Sequence, residues 1–231
     1  MEYFSISKIE SGLRIEGFPD AVKVVKISGQ EAKRLADLSL HKADLEFADA
    51  CLEAINQTAE NPAVVREALW RSAIVHFMKC FGSGARFQLS AARIYKGEPS
   101  EALMAFEYFK DLRNKHFVHD ENSYAQSIPG AVLNNGTKSY KIDKIVCFAA
   151  IGATLEQGNY GNLKLLIEKA RAWVISEFDF LCERLTATLE QEDYEDLLAR
   201  DAITYRVPTV EEISCNRKTL QDGNRDGRST K

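Results

Sequence analysis

"EALMAFEYFKDLRNKHFVHD" occupies residues 101–120. On an ideal helix at ~100° per residue, its apolar members Ala102, Leu103, Ala105, Phe106, Phe109, Leu112 and Phe117 fill one arc. Glu101, Glu107, Asp111 and Lys115 take the opposite side, which is the pattern of a helix packed on one face. Two residues break the pattern. Arg113 falls between Ala102 and Phe106 in the apolar arc, and His116 falls between Ala105 and Phe109. A guanidinium directed inward costs several kcal/mol, on the order of a buried unpaired charge, unless it is paired or opens onto a cleft. Two explanations stay open at this stage. One is a structural ion pair, or stacking on Phe106 and Phe109. The other is a cleft in which the planar fork of Arg113 receives a phosphate.

Working outward, the neighbouring segments read as more helices. Ser28 with Glu31 three residues on is a capping-box pattern, and Leu35, Leu38, Leu45, Ala48 and Leu52 follow at helical spacing, predicting a helix over 28–58. Asn61-Pro62 opens a second helix that carries Val65, Leu69, Ala73, His76, Phe77 and Cys80 to Gly82. Glu98-Pro99-Ser100 opens the third, which contains the quoted stretch. Residues 162–190, with Leu165, Ile167, Ala170, Trp173, Val174, Phe178 and Leu181 on one side, predict a long helix, and a short one is expected at 194–200.

Two regions carry the β pattern. Residues 3–27 alternate apolar and polar types and are broken by Gly12, Gly17 and Pro19, predicting two or three short strands. In "SIPGAVLNNGTKSYKIDKIVCFAAI", Asn135-Gly136 flanked by apolar residues predicts a β-hairpin, although Ile145–Ile151 alone also fits a buried helix. The expected fold class is mainly α, an antiparallel helical bundle over 28–201. It has short N-terminal β-strands (1–27), a β-hairpin inserted before the last long helix at about 128–155, and a mostly disordered polar tail (202–231).

Composition narrows the function. The 231 residues carry a net charge of −4, and the pI is about 5.7, so extended DNA binding, which rests on phosphate neutralisation, is not expected. Cys51, Cys80, Cys147, Cys182 and Cys215 are scattered, odd in number and outside any CxxC or Cys/His cluster, so neither a metal site nor a disulfide framework is expected. The opening residues include Glu2 and no long apolar run, and no stretch approaches a membrane span, so a cytoplasmic chain without a leader or membrane contact is expected.

With Arg113, Asn114 and His119 placed late in the third of four long helices, "LRNKHFVHD" resembles the signature of the HEPN superfamily (higher eukaryote and prokaryote nucleotide-binding domains). That signature is an arginine, a polar follower and a histidine a few residues further on. The resemblance is nearest to abortive-infection-type members and covers roughly residues 28–190. The inserted hairpin departs from the family pattern. The resemblance implies a metal-independent endoribonuclease without a cofactor, toxin-like or defence-related, with Arg113 and His119 catalytic and Asn114 orienting them. It also implies a homodimer that faces two motifs across one groove, with RNA or nucleotide as ligand and a cognate antitoxin as a further partner. A catalytically inactive nucleotide-binding or dimerisation module is the alternative. The chemistry suits the residues. RNA supplies its own 2′-hydroxyl nucleophile, an imidazole titrates near neutrality, and an arginine stabilises charge developing on phosphorus.

Around this pair, Lys115, His116 and Tyr124 are expected to contact substrate, and His116 is the rival histidine. Lys115, His116 and His119 also suit a plain helix C-terminus, where the dipole favours cations. On a straight helix Arg113 and His119 stand ~120° apart, so they converge only if the helix ends or tightens near Val118, or if a second subunit shares the cleft. His76 is expected to be a satisfied core histidine and His41 to be exposed. The connector 83–96, with Arg86, Phe87, Arg93, Tyr95 and Lys96, is expected to pack through its aromatics rather than line an RNA groove.

Overall fold

The computed structural model describes residues 6–9, 12–57, 62–119, 121–203 and 209–214. It is mainly helical, and among the described residues the named strands form two small antiparallel pairs. The chain divides into two compact units. The first holds residues 1–42, 83–88 and 173–231, and the second holds 43–82 and 89–172.

In the first unit, β1 (Ile6–Ile9) pairs antiparallel with β2 (Gly12–Ile15), Ile6 opposite Ile15. Of the two or three expected N-terminal strands, two are therefore present, and residues 3–5 lie outside the described residues. A third pairing is a single bridge, Val25 with Ala202, where the Lys26 N–H donates to the Asp201 carbonyl at 2.7 Å. Helix α1 (Gln30–Gln57) starts two residues later than predicted, because Gly29 just before it takes φ +105°, open to glycine and not to most side chains. Its first turns are fixed by ion pairs, Arg34 to Glu177 at 2.8 Å and Arg184 to Glu31 at 2.5 Å. His41 is buried, not exposed as expected, and its Nε2–H donates to the Phe87 carbonyl at 2.8 Å. The sequence pattern missed this because the partner belongs to a distant connector. Phe87 closes the bond from the other side, donating its N–H to Asp37 at 3.2 Å.

The second unit holds the larger apolar core. Leu45, Ala48, Leu52 and Ile55 of α1 are buried, and so are Trp70, Ala73, Ile74 and Phe77 of α2 (Ala63–Lys79). The cap expected at Asn61 lies outside the described residues; Pro62 precedes the helix. Ser90 caps the short α3 (Ala91–Ile94), accepting from the Arg93 N–H. Phe81, Tyr95 and Phe106 form an aromatic cluster, with ring centroids 4.8 Å apart for Phe81 and Phe106. Tyr95 is buried and its hydroxyl donates to the Leu166 carbonyl at 3.0 Å. Each fully buried large side chain here contributes about 1.5–3 kcal/mol.

Helix α4 (Ser100–Asp111) is shorter than predicted. From Leu112 to Val118 the backbone switches to a π-helix, with hydrogen bonds spanning five residues instead of four. The 100° spacing therefore stops describing the chain at Asp111, just before Arg113.

The hairpin follows as β3 (Ala125–Leu133) and β4 (Ile142–Ile151), Pro129 opposite Cys147. This settles Ile145–Ile151 as strand and not helix. The predicted tight Asn-Gly turn is replaced by a longer loop over 134–141. Asn134 donates its N–H to the Lys141 carbonyl at 3.0 Å, and its side-chain oxygen accepts from the Gly136 N–H. Gly136 keeps the positive φ (+80°) the pair was chosen for. Helix α5 (Gln157–Leu189) begins five residues earlier than predicted, and α6 (Tyr194–Ala199) lies within its predicted range. In the expected tail, Val210–Ser214 forms a 3-10 turn, and 215–231 lie outside the described residues.

Candidate functional site

The π-helical segment is the candidate site. Helix α2 supports it from the side: the Arg71 guanidinium sits 4.8 Å from the centre of the Phe117 ring and is held by Glu67 at 2.6 Å. Below it lie buried aromatics, Phe109 against Trp70 with centroids 6.0 Å apart. Trp70 in turn donates its indole N–H to the buried Thr154 hydroxyl at 3.0 Å.

Arg113 is half-buried. Its Nη1–H donates to the Asn114 side-chain oxygen at 2.7 Å, while its buried Nε has no hydrogen-bond partner. Among the described residues no carboxylate pairs with it. Asn114 also reaches His119, whose N–H donates to the Asn114 carbonyl at 3.2 Å. One residue thus ties together the two others of the signature, one through its side chain and one through its backbone.

The helix ends at Val118, where the sequence expected it to end or tighten, and its last turns are widened. His119 leaves it in extended conformation (φ −125°, ψ 148°), its side chain exposed. His116 is half-buried, and its buried Nδ1 lacks a partner. Its ring faces Phe117 and Tyr124, with centroids at 5.4 and 5.6 Å. Lys115 is exposed and paired with Asp111 at 3.1 Å, one α-turn away. The structure therefore brings Arg113, Asn114 and the His119 backbone together, and separately His116 with Tyr124. Lys115 belongs to neither group.

Tyr124 is held at the base of the hairpin. The Gly152 N–H donates to the Tyr124 carbonyl at 2.7 Å, and the Tyr124 ring lies so close to Gly152 that an added Cβ would sit 2.7 Å from Cδ1. Asn159 of α5 donates to the Tyr108 hydroxyl at 3.1 Å and to the Thr154 carbonyl at 3.0 Å. Burial, and then the neighbouring Tyr124, raise the Tyr108 phenol above its ordinary range. Arg71, Tyr108, Gly152 and Asn159 were not singled out from the sequence. Only Arg71 carried a signal, being four residues after Glu67 on a helix.

Other candidates resolve differently. His76 Nδ1 is 2.9 Å from Asp44, which also takes Lys79 at 3.0 Å. Of the basic connector, Arg86 and Phe87 line a cavity of about 470 Å³ in the first unit, with Lys33, Arg34 and Asp37. Among the described residues no three His, Cys, Asp or Glu side chains gather as a metal site would require, and no helix is long and apolar enough to cross a membrane.

No family model, curated protein or solved structure matches the chain.

Proposed function

We propose that the chain is a HEPN-like, metal-independent endoribonuclease of the cytoplasm, toxin-like or defence-related, acting as a homodimer through Arg113, Asn114 and His119. The RNA 2′-hydroxyl attacks the adjacent phosphate while an imidazole removes its proton. The bond from phosphorus to the 5′-oxygen then breaks, and an imidazolium returns a proton to that oxygen. The products are a cyclic phosphate and a 5′-hydroxyl. His119 of each subunit serves as base or acid, and Arg113 receives the charge developing on the phosphoryl oxygens. Asn114 fixes the guanidinium.

The observation that carries this reading is Arg113, a half-buried guanidinium anchored by an amide oxygen, with a buried Nε left over and, among the described residues, no carboxylate to neutralise it. Such a group is complementary to an incoming anion. A second reading is favoured by one feature. The His119 side chain is exposed on an extended backbone, which suits a catalytically inactive RNA- or nucleotide-binding or dimerisation module equally well.

Purified protein and its His119→Ala variant, incubated with single-stranded RNA in EDTA, separate the two. Cleavage by the unmodified chain alone, leaving cyclic-phosphate ends, supports the enzyme. RNA bound but intact with both proteins supports the inactive module, and cleavage that requires a divalent metal rules out the mechanism. Cognate antitoxin binding is tested by whether a co-expressed neighbour protein relieves growth arrest.

A further inference from the structure

The hairpin β3–β4 stands with almost all of its side chains in solvent, on both faces. Ile128, Val132, Leu133, Ile142, Ile145, Phe148 and Ile151 are each between 43% and 72% exposed. Large apolar side chains left in solvent in this number mark an interaction surface. In the two strands, charge is limited to Asp143 and Lys144. A two-stranded hairpin of this kind is marginal in water unless further strands or a packing surface join it.

The hydrogen-bond phase says where a further strand can join. The Gly152 N–H to Tyr124 carbonyl bond makes that opposed pair a hydrogen-bonded one. Residues alternate along an antiparallel ladder, so Gln126, Ile128, Gly130 and Val132 also face β4, while Ser127, Pro129 and Ala131 turn their backbones outward. The outer edge of β3 therefore carries a proline where a donor is needed, and is blunted. On β4 the outward backbones belong to Ile145, Cys147, Ala149 and Ile151, all able to donate. The open edge is β4.

We infer that β4 pairs antiparallel with β4 of a second copy of this chain, about a two-fold axis near Cys147, giving a four-stranded sheet in the order β3-β4-β4-β3. Charge favours self-pairing. Asp143 and Lys144 lie at one end of β4, so an antiparallel copy centred near Cys147 sets them against uncharged residues and never against like charges. The proposal needs no RNA chemistry; it shares with the proposed function only the expectation of a dimer, and names the surface.

Matched proline variants test it by mass. Ala149→Pro removes an outward donor from β4 and Ala131→Pro removes one from β3; both residues are exposed and neither donor serves the hairpin. Sedimentation equilibrium at micromolar concentration should show a dimer for the unmodified chain and for Ala131→Pro, with Ala149→Pro dissociating at least about tenfold more readily. A monomeric unmodified chain, or equal behaviour of the two variants, overturns the proposal. A readout free of proline uses the exposed Cys147: mild oxidation should give a disulfide-linked dimer that Cys147→Ser abolishes. A cross-link unchanged by Cys147→Ser, or none, counts against the axis. A chain that cleaves RNA and stays equally dimeric in both proline variants would keep the proposed function and end this one.

Discussion

The His119 N–H donates to the Asn114 carbonyl at 3.2 Å, closing the π-helical turn that begins beside Arg113. The same Asn114 accepts from the Arg113 guanidinium at 2.7 Å. The histidine's backbone and the arginine's side chain are thus referenced to a single residue, so displacing Asn114 disturbs both.

Arg113→Ala and Arg113→Lys should each lower RNA cleavage by about 10²-fold or more, because an ammonium does not reproduce the planar fork that Asn114 anchors. Asn114→Ala should fall between these variants and the unmodified chain. Single-turnover cleavage rates check the order; full activity of Arg113→Lys would contradict it.

His119→Ala should reduce cleavage by about 10²–10⁴-fold, while stability stays within about 0.5 kcal/mol because the side chain is exposed. His116→Ala should retain cleavage. Rates measured beside denaturant melts separate chemistry from folding, and the reverse pattern would transfer the catalytic role to His116.

Gly152→Ala should destabilise the chain by about 1–3 kcal/mol, since its Cβ would meet the Tyr124 ring at 2.7 Å. Because that ring faces His116, the damage should reach the motif. Adding Tyr124→Ala should recover part of the loss. Strict additivity in the double-mutant cycle would show that the ring is not the obstacle.

Burial, and secondly Cys80, hold the Tyr95 phenol well above its ordinary range. Its folded value exceeds its unfolded one, so the associated stability is intact below about pH 10 and is lost as pH rises beyond it. Urea unfolding across the alkaline range should show that decline. Tyr95→Phe should flatten it while costing about 1 kcal/mol for the bond to the Leu166 carbonyl.

The helices were legible because their signals are local and periodic: Leu38, Leu45, Ala48 and Leu52 are buried as their spacing predicts. Arg113 was legible as an anomaly for the same reason, a charge on an apolar arc. What escaped depended on chain segments far apart. His41 needs Phe87 to be read as buried, and Tyr124 needs Gly152 to be read as fixed. The π-helix escaped for a different cause. Periodicity assumes one rise and one rotation per residue, and nothing in "LRNKHFV" announces the change.

That wide turn has a mechanical corollary. Each coil between Leu112 and Val118 holds more chain than an α-coil would, so the motif stores slack inside a helix. Deleting the exposed Lys115 would let the ordinary winding return, while the chain beyond kept nearly the same direction. The bond from the His119 N–H to the Asn114 carbonyl would then span four residues, as in an α-helix, and the excess chain beside Arg113 would be gone with no apolar core residue altered.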